Sequence, residues 1–333
     1  QPGHYRNPRF SPNGNMIVFE QGEGGFLTSG DWSERPGIYR VSANGGAAER
    51  ITESGSNPHF GASGDRVFLT VSEENKQRLI SVDLSGNDRR VHASGELVTG
   101  YEVSPDGDTL AFTENYNAFV VPMLPGTQDV ELKADATALP IVRVSGDGAS
   151  YMSWSNNGDR LHWSLGPTLY SAAANAIFPT SPAAEGEERP DFVPPASGVS
   201  IAVSAQADRP SSRVALTGAR IVTMQSEDGG IIENGTIVID GDRIAAVGAA
   251  DSTAIPAGYQ TVDVAGATII PGIIDAHAHG PHGVGDLIPQ QNWHTIAHLA
   301  FGVTTVHDPS NTASHIFPAA EMQQAGLILA PRI

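Results

Sequence analysis

Residues 103–112 read "VSPDGDTLAF". An apolar residue, a Ser-Pro-Asp-Gly turn and a second apolar run follow one another, so the stretch predicts strand, tight turn, strand. The same pattern stands at 10–19 ("FSPNGNMIVF"), 60–69 ("FGASGDRVFL") and 154–163 ("WSNNGDRLHW"), with Gly14, Gly64, Gly107 and Gly158 spaced 50, 43 and 51 residues apart. Asn-Gly and Asp-Gly supply the positive φ that a two-residue hairpin turn requires, and such turns are expected here. Further strands follow each copy, such as "PGIYRVSANG" from 36 and "QRLISVDLSGN" from 77. Four strands in about 40 to 50 residues make one blade of a β-propeller, so residues 1–170 read as a partial propeller with four recognisable blades. Scattered hairpins of a sandwich are the alternative. Trp154, Trp163 and Phe10 are expected to pack between blades.

Composition supports a β-rich, multidomain chain. Among 333 residues, 37 glycines and 23 prolines stand against only 17% charged residues, which favours short strands and turns over a helical bundle. Nineteen basic and 37 acidic residues leave a formal charge of −18. That charge repels nucleic acid and anionic membrane surfaces. With no cysteine there is no disulfide framework and no thiolate metal site, so His and carboxylate oxygen remain as metal donors. No run of about 18 apolar residues marks a transmembrane helix, and no signal peptide is visible. The repeat already under way at the first residues suggests a chain that is an internal piece of a longer one.

Residues 171–197 change to small residues, prolines and an acidic cluster, which reads as a linker or strap extending over 171–212. From 213 to 270 the sequence alternates β-rich runs with turns, including a hairpin at Asp240-Gly241. From 291 the pattern turns to helix, strand, helix over "QNWHTIAHLAFG", "VTTVHDPS" and "ASHIFPAAEMQQAGL". This alternation signals βα units and a parallel sheet over 271–333.

Between these regions lies "IIPGIIDAHAHG", residues 269–280. On a strand His277 and His279 share a face while Ala278 points into packing. At the carboxyl end of a barrel strand that face looks into the mouth, where two imidazoles bind one divalent ion, zinc above all. Two metal-free surface or core histidines are the other reading. Seven of the 11 histidines fall within 277–315, which favours a site. Asp275 shares a face with His277 and is a candidate for supporting it or for a plain structural hydrogen bond. His282 is a candidate substrate contact or an exposed loop histidine. Asp308 ends the second strand and is read as structural or as supporting a ligand, with His307 pointing the other way. His294 and His298 stand at i, i+4, but Thr295 occupies the place of the glutamate in H-E-x-x-H, so they read as helix-face residues.

"SPDG" followed by "LAF" resembles the TolB-like propeller repeat. "GARIVTM", "GTIVIDGDRIAAVG", "GATIIPGIIDAHAH" and "AFGVTTVHD", in that order, resemble the N-terminal part of the amidohydrolase superfamily, in its prolidase-like and imidazolonepropionase-like branch. The resemblance covers about 213–333. It implies a β-sandwich segment beside a TIM (β/α)8 barrel that is incomplete here, with His277 and His279 as metal ligands at the end of its first strand. The remaining family ligands, a bridging carboxylated lysine, two histidines and an aspartate, belong to later strands absent from these residues. By this resemblance the whole protein hydrolyses amide, lactam or small-peptide bonds with one or two metal ions, and this piece alone is inactive. A propeller that binds a protein partner or forms an oligomer, joined to a degenerate hydrolase domain, is the competing expectation. TolB-like propellers point to the periplasm or a secreted location.

Overall fold

The computed structural model describes residues 4–24, 35–124, 126, 129–179, 191–226, 230–285 and 287–333. Two compact units divide the chain, with the change at Val203–Ser204.

In the first unit four sheets follow one another along the chain. β1 (His4–Phe10), β2 (Met16–Gly22), β3 (Gly37–Ser42) and β4 (Glu49–Thr52) form the first sheet, in that order. The second holds β5 (Ser56–His59), β6 (Arg66–Glu73), β7 (Lys76–Asp83) and β8 (Arg90–Gly95). Next come β9 (Val98–Val103), β10 (Thr109–Glu114) and β11 (Asn117–Pro122). β12 (Val130–Glu131) returns to pair with β8, and β13 (Val142–Arg143) closes the third sheet against β11. The fourth sheet contains β14 (Ser150–Trp154), β15 (Arg160–Leu165), β16 (Thr168–Ala173) and β17 (Val199–Ser200), with the short helix α1 (Ala174–Ile177) after β16.

The expected strap over 171–212 therefore contributes to the sheet at its start and again at 199–200. Val199 and Ser200 pair with Leu169 and Thr168, which satisfies backbone groups that β16 would otherwise expose as an edge.

The repeated turns are longer than the two-residue hairpins that Asn-Gly and Asp-Gly suggest. Gly14, Gly107 and Gly158 donate to the carbonyls of Ser11, Ser104 and Ser155, closing a turn with only the glycine at positive φ. The serine hydroxyl then accepts the amide at the start of the next strand, Met16, Thr109 or Arg160, at 2.9–3.0 Å. A side-chain bond thus holds a five-residue loop where sequence rules alone predict the shortest one.

Cores lie between neighbouring sheets. Val18, Ile38 and Ile51 meet Phe60, Val67, Leu69 and Val82; Leu79 and Ala93 meet Tyr101, Leu110 and Phe112; Ala111 and Val120 meet Leu161 and Trp163. Each fully buried side chain of this size is worth about 1.5–3 kcal/mol, so these seams carry the unit. Trp163 is buried, and Trp154 is half-buried with its indole N–H donating to the Glu102 carbonyl. Phe10 departs from expectation at 65% exposed, because it ends β1 beside the open space lined by His59 and Trp154.

The second unit opens with β18 (Arg213–Val222), β19 (Ile231–Asp240), β20 (Arg243–Ala249), β21 (Gln260–Asp263) and β22 (Thr268–Ile269). β18–β20 are antiparallel, and β21 and β22 both pair parallel with β18. Asp240 pairs with Arg243, so the expected hairpin turns through Gly241 and Asp242. β23 (Ile273–Asp275), α2 (Trp293–Ala300), β24 (Val303–Val306) and α3 (Ala313–Gln324) follow. β23 and β24 are parallel, and Thr305 also bridges in parallel to Arg332. Two βα units are thus present, with no closed barrel among the described residues.

Replacing Ser104, which is 1% exposed, with Ala removes the acceptor of the Thr109 amide. Denaturant unfolding should register a loss of about 1–2 kcal/mol; an unchanged midpoint would refute the role given to the hydroxyl. A second expectation concerns His92, whose imidazole is held down at about 4 by burial and by Arg66 and Arg90. The Arg66 guanidinium donates to Ser81 Oγ, which lies 2.8 Å from His92 Nε2 and so brings the Arg66 charge close to the ring. Between pH about 6.5 and about 4 the unfolded chain binds the extra proton, so stability falls as pH falls through that window. After discounting for partial exposure the effect is about 1–2 kcal/mol. His92→Gln should flatten that part of the stability–pH curve, and a variant curve parallel to wild type would exclude His92 as its source.

Candidate active site

Strand β23 stops at Asp275, so His277 and His279 stand on the segment that follows it and not on the strand itself. Pairing with the neighbouring chain nevertheless continues: the His307 amide donates to Asp275 O and the Ala278 amide to His307 O, both at 2.9 Å. The alternation therefore persists past the formal end of the strand. Ala278 is 7% exposed, while His277 and His279 are both exposed. Their rings lie edge to face with centroids 4.9 Å apart.

Beneath this pair sits Asp308, whose side chain is 1% exposed. Its Oδ2 accepts from Asn311 Nδ2 at 3.0 Å and from the Gly280 amide at 3.4 Å, and its Oδ1 accepts from the Ser310 amide at 3.0 Å. Burial pushes this carboxyl up, but the Ser310, Asn311 and Gly280 donors outweigh it and hold the group below the ordinary aspartate value. His279 Nδ1 is 3.9 Å from Asp308 Oδ1 and 2.8 Å from Ser310 Oγ.

His282 is 4% exposed, which corrects the picture of an exposed loop histidine. Its Nε2 lies 3.5 Å from Asp308 Oδ2, and its Nδ1 is buried without a hydrogen-bond partner. Burial pushes the imidazole below its ordinary value, against the pull of the Asp308 carboxylate. Asp275 acts locally, accepting the His277 amide at 3.1 Å.

The helix histidines have a tighter connection to the site than their spacing announces. Asn292 caps α2 by accepting the His294 amide and also donates to Pro281 O. The His294 ring lies so close to Gly280 that a Cβ there would come within 2.2 Å of its Nε2. Only glycine admits the ring without movement. His298 Nδ1 pairs with His294 O at 2.9 Å. His307 is exposed, with Nδ1 3.1 Å from Ala276 O. Sequence reasoning missed Ser310, Asn292 and Asn311; the Asn-Trp-His start of a helix was the one available signal, as an N-cap.

Two imidazole nitrogens suit zinc or a similar divalent ion in donor chemistry. Among the described residues no third His, Cys, Asp or Glu joins them in a metal-binding group. The pair fits part of a metal site.

The chain thus holds four successive sheets and then a unit with two βα units and the His277–His279 pair, and part of it is similar in sequence to imidazolonepropionases and to an adenine deaminase. Over 67 residues the chain is 45% identical to the imidazolonepropionase of Roseobacter denitrificans, covering 19% of this chain and 16% of that protein. The imidazolonepropionase of Erwinia tasmaniensis is 48% identical over 63 residues, 19% of this chain and 15% of that protein. Adenine deaminase 2 of Bradyrhizobium sp. (strain ORS 278) is 41% identical over 78 residues, 22% and 13%. The chain thus spans about a sixth or less of the length of these curated relatives. No protein-family profile matches it. Among solved structures, a prolidase complexed with N-methylphosphonate-L-proline is 28% identical over 37% of this chain and 31% of that one, with a TM-score of 0.28. TolB from Acinetobacter baumannii is 18% identical over 51% and 40%, with a TM-score of 0.37. No helix among the described residues is long and apolar enough to cross a membrane.

Asp308→Ala would leave the Gly280 and Ser310 amides and the Asn311 amide without their acceptor. A loss of about 2–3 kcal/mol from the second unit is expected, read as earlier protease cleavage or faster hydrogen exchange over 276–312. Wild-type protection in the variant would show that the carboxylate does not organise these loops.

Proposed function

We propose that this chain forms part of a metal-dependent hydrolase acting on amide, lactam or small-peptide C–N bonds. The observation that carries the reading is the exposed His277–His279 pair at the end of a parallel strand, with rings 4.9 Å apart. Residues 213–270 serve in this reading as the flanking sandwich and 271–333 as the opening of a (β/α)8 barrel. Residues 1–170 act as a TolB-like propeller joined through 171–212, a periplasmic or secreted arrangement in which the propeller holds a partner or sieves substrate. Relatives named imidazolonepropionase and adenine deaminase support C–N bond chemistry.

His277 and His279 would hold the divalent ion, zinc by donor type. Such an ion, when bound, lowers the pKa of its water to about 7 and polarises a carbonyl. This chain's own residues do the positioning. Asp275 fixes the backbone amide of His277, and Asp308 fixes the loops that carry His279 and His282. Burial lowers the His282 pKa against the pull of the Asp308 carboxylate, which favours an uncharged ring there.

Elemental analysis of the whole parent protein, beside a His277→Ala/His279→Ala variant, tests this. Wild type should retain about one or two divalent ions that the variant loses. Equal metal content in both proteins would overturn the reading and favour a binding module with a degenerate hydrolase segment. A panel of lactams, acyl-amides and dipeptides in parallel would assign the substrate class.

A further inference from the structure

We propose that Ser310 is a positioning residue for His279, holding the imidazole as its Nδ1–H tautomer and leaving Nε2 free for a divalent cation. The inference rests on the reading of His279 as a metal ligand and adds to it a residue outside the H-x-H stretch. Ser310 Oγ lies 2.8 Å from His279 Nδ1, although 30 residues separate them in sequence.

A hydroxyl both donates and accepts, so the contact alone does not select a tautomer. Asp308 supplies the bias. Its Oδ1 lies 3.9 Å from the same Nδ1, and a carboxylate at that distance favours the ring nitrogen that carries hydrogen. The Ser310 hydroxyl then accepts, and the lone pair is left on Nε2, the nitrogen not engaged by Ser310. In metal sites the hydrogen bond at one ring nitrogen decides which nitrogen ligates, and such partners are worth about 10–100-fold in affinity.

The backbone that carries the hydroxyl is held from two sides. The Ser310 amide donates to Asp308 Oδ1, and Asn311 Nδ2 bonds both Gly280 O and Asp308 Oδ2. The loop after β24 is therefore tied to the residue that follows His279. The His279 side chain itself is 58% exposed and has little packing to orient it. Its rotamer depends on polar contacts, of which the one to Ser310 is the shortest.

The test uses the whole parent protein labelled with 15N-histidine. Long-range 1H–15N spectra report the tautomer of each ring, and the His279→Ala variant identifies the His279 signals. Wild type should show the Nδ1–H form, Ser310→Thr should keep it, and Ser310→Ala should move it toward a tautomer mixture. Competition of zinc with a chromophoric chelator should give affinity about tenfold weaker for Ser310→Ala and near wild type for Ser310→Thr. Unchanged tautomer and unchanged zinc affinity in Ser310→Ala would overturn the proposal. A tautomer change in a chain whose wild type binds no zinc would instead overturn the metal-site reading, separating the two failures.

Discussion

The Asp308 carboxylate is the point on which the second unit's geometry turns. A buried carboxylate costs several kcal/mol unless donors surround it, and the donors that Asp308 recruits come from both segments that leave the parallel strand pair. Gly280 belongs to the segment after β23, while Ser310 and Asn311 belong to the one after β24. The requirement that one charge be satisfied thus forces two loops into register. His277 and His279 inherit their placement from that register, since the backbone bonds Ala278 N to His307 O and His307 N to Asp275 O carry the pairing up to the carboxylate.

Much of this was legible in the residues, though unevenly. The recurrent Gly14, Gly64, Gly107 and Gly158 announced repeating sheets because turn chemistry is local. The length of those turns was hidden, because it is set by Ser11, Ser104 and Ser155 capping an amide five residues on. Alternation placed His277 and His279 on one side and Ala278 on the other, and burial follows that pattern. His282 defeated the same logic. Its burial arises from contacts with residues 26 positions away, and a loop histidine followed by glycine carries no local mark of that. Ser310 was equally invisible, since serine after proline in a turn is ordinary, and only the fold brings it against His279.

The first unit solves its stability differently. Its seams are apolar, with Ile38, Leu69, Leu79, Phe112 and Trp163 almost wholly removed from water. Polar ties are added between the first strands of successive sheets, where Glu102 accepts from Arg9 and Asn57 and its carbonyl accepts from Trp154. Exposed pairs such as Arg40–Glu49 contribute little by comparison, because solvent screens them.

Among the described residues no comparable apolar seam runs under the candidate site. The sheet core of the second unit centres on Ala219, Ile221 and Ile237, whereas Ile273, Ile274, Phe301 and Phe317 remain half exposed or more. Parallel strands usually have both faces covered, and in these residues several of the ties around 276–282 are polar. The constraint falls to polar groups: Asp308 with its donors, Asn292 bridging the helix start to Pro281, and the His294 ring seated against Gly280. Polar networks are directional in a way that apolar packing is not. The bonds around Asp308 and Asn292 therefore fix the direction of the backbone beneath the exposed His277 and His279.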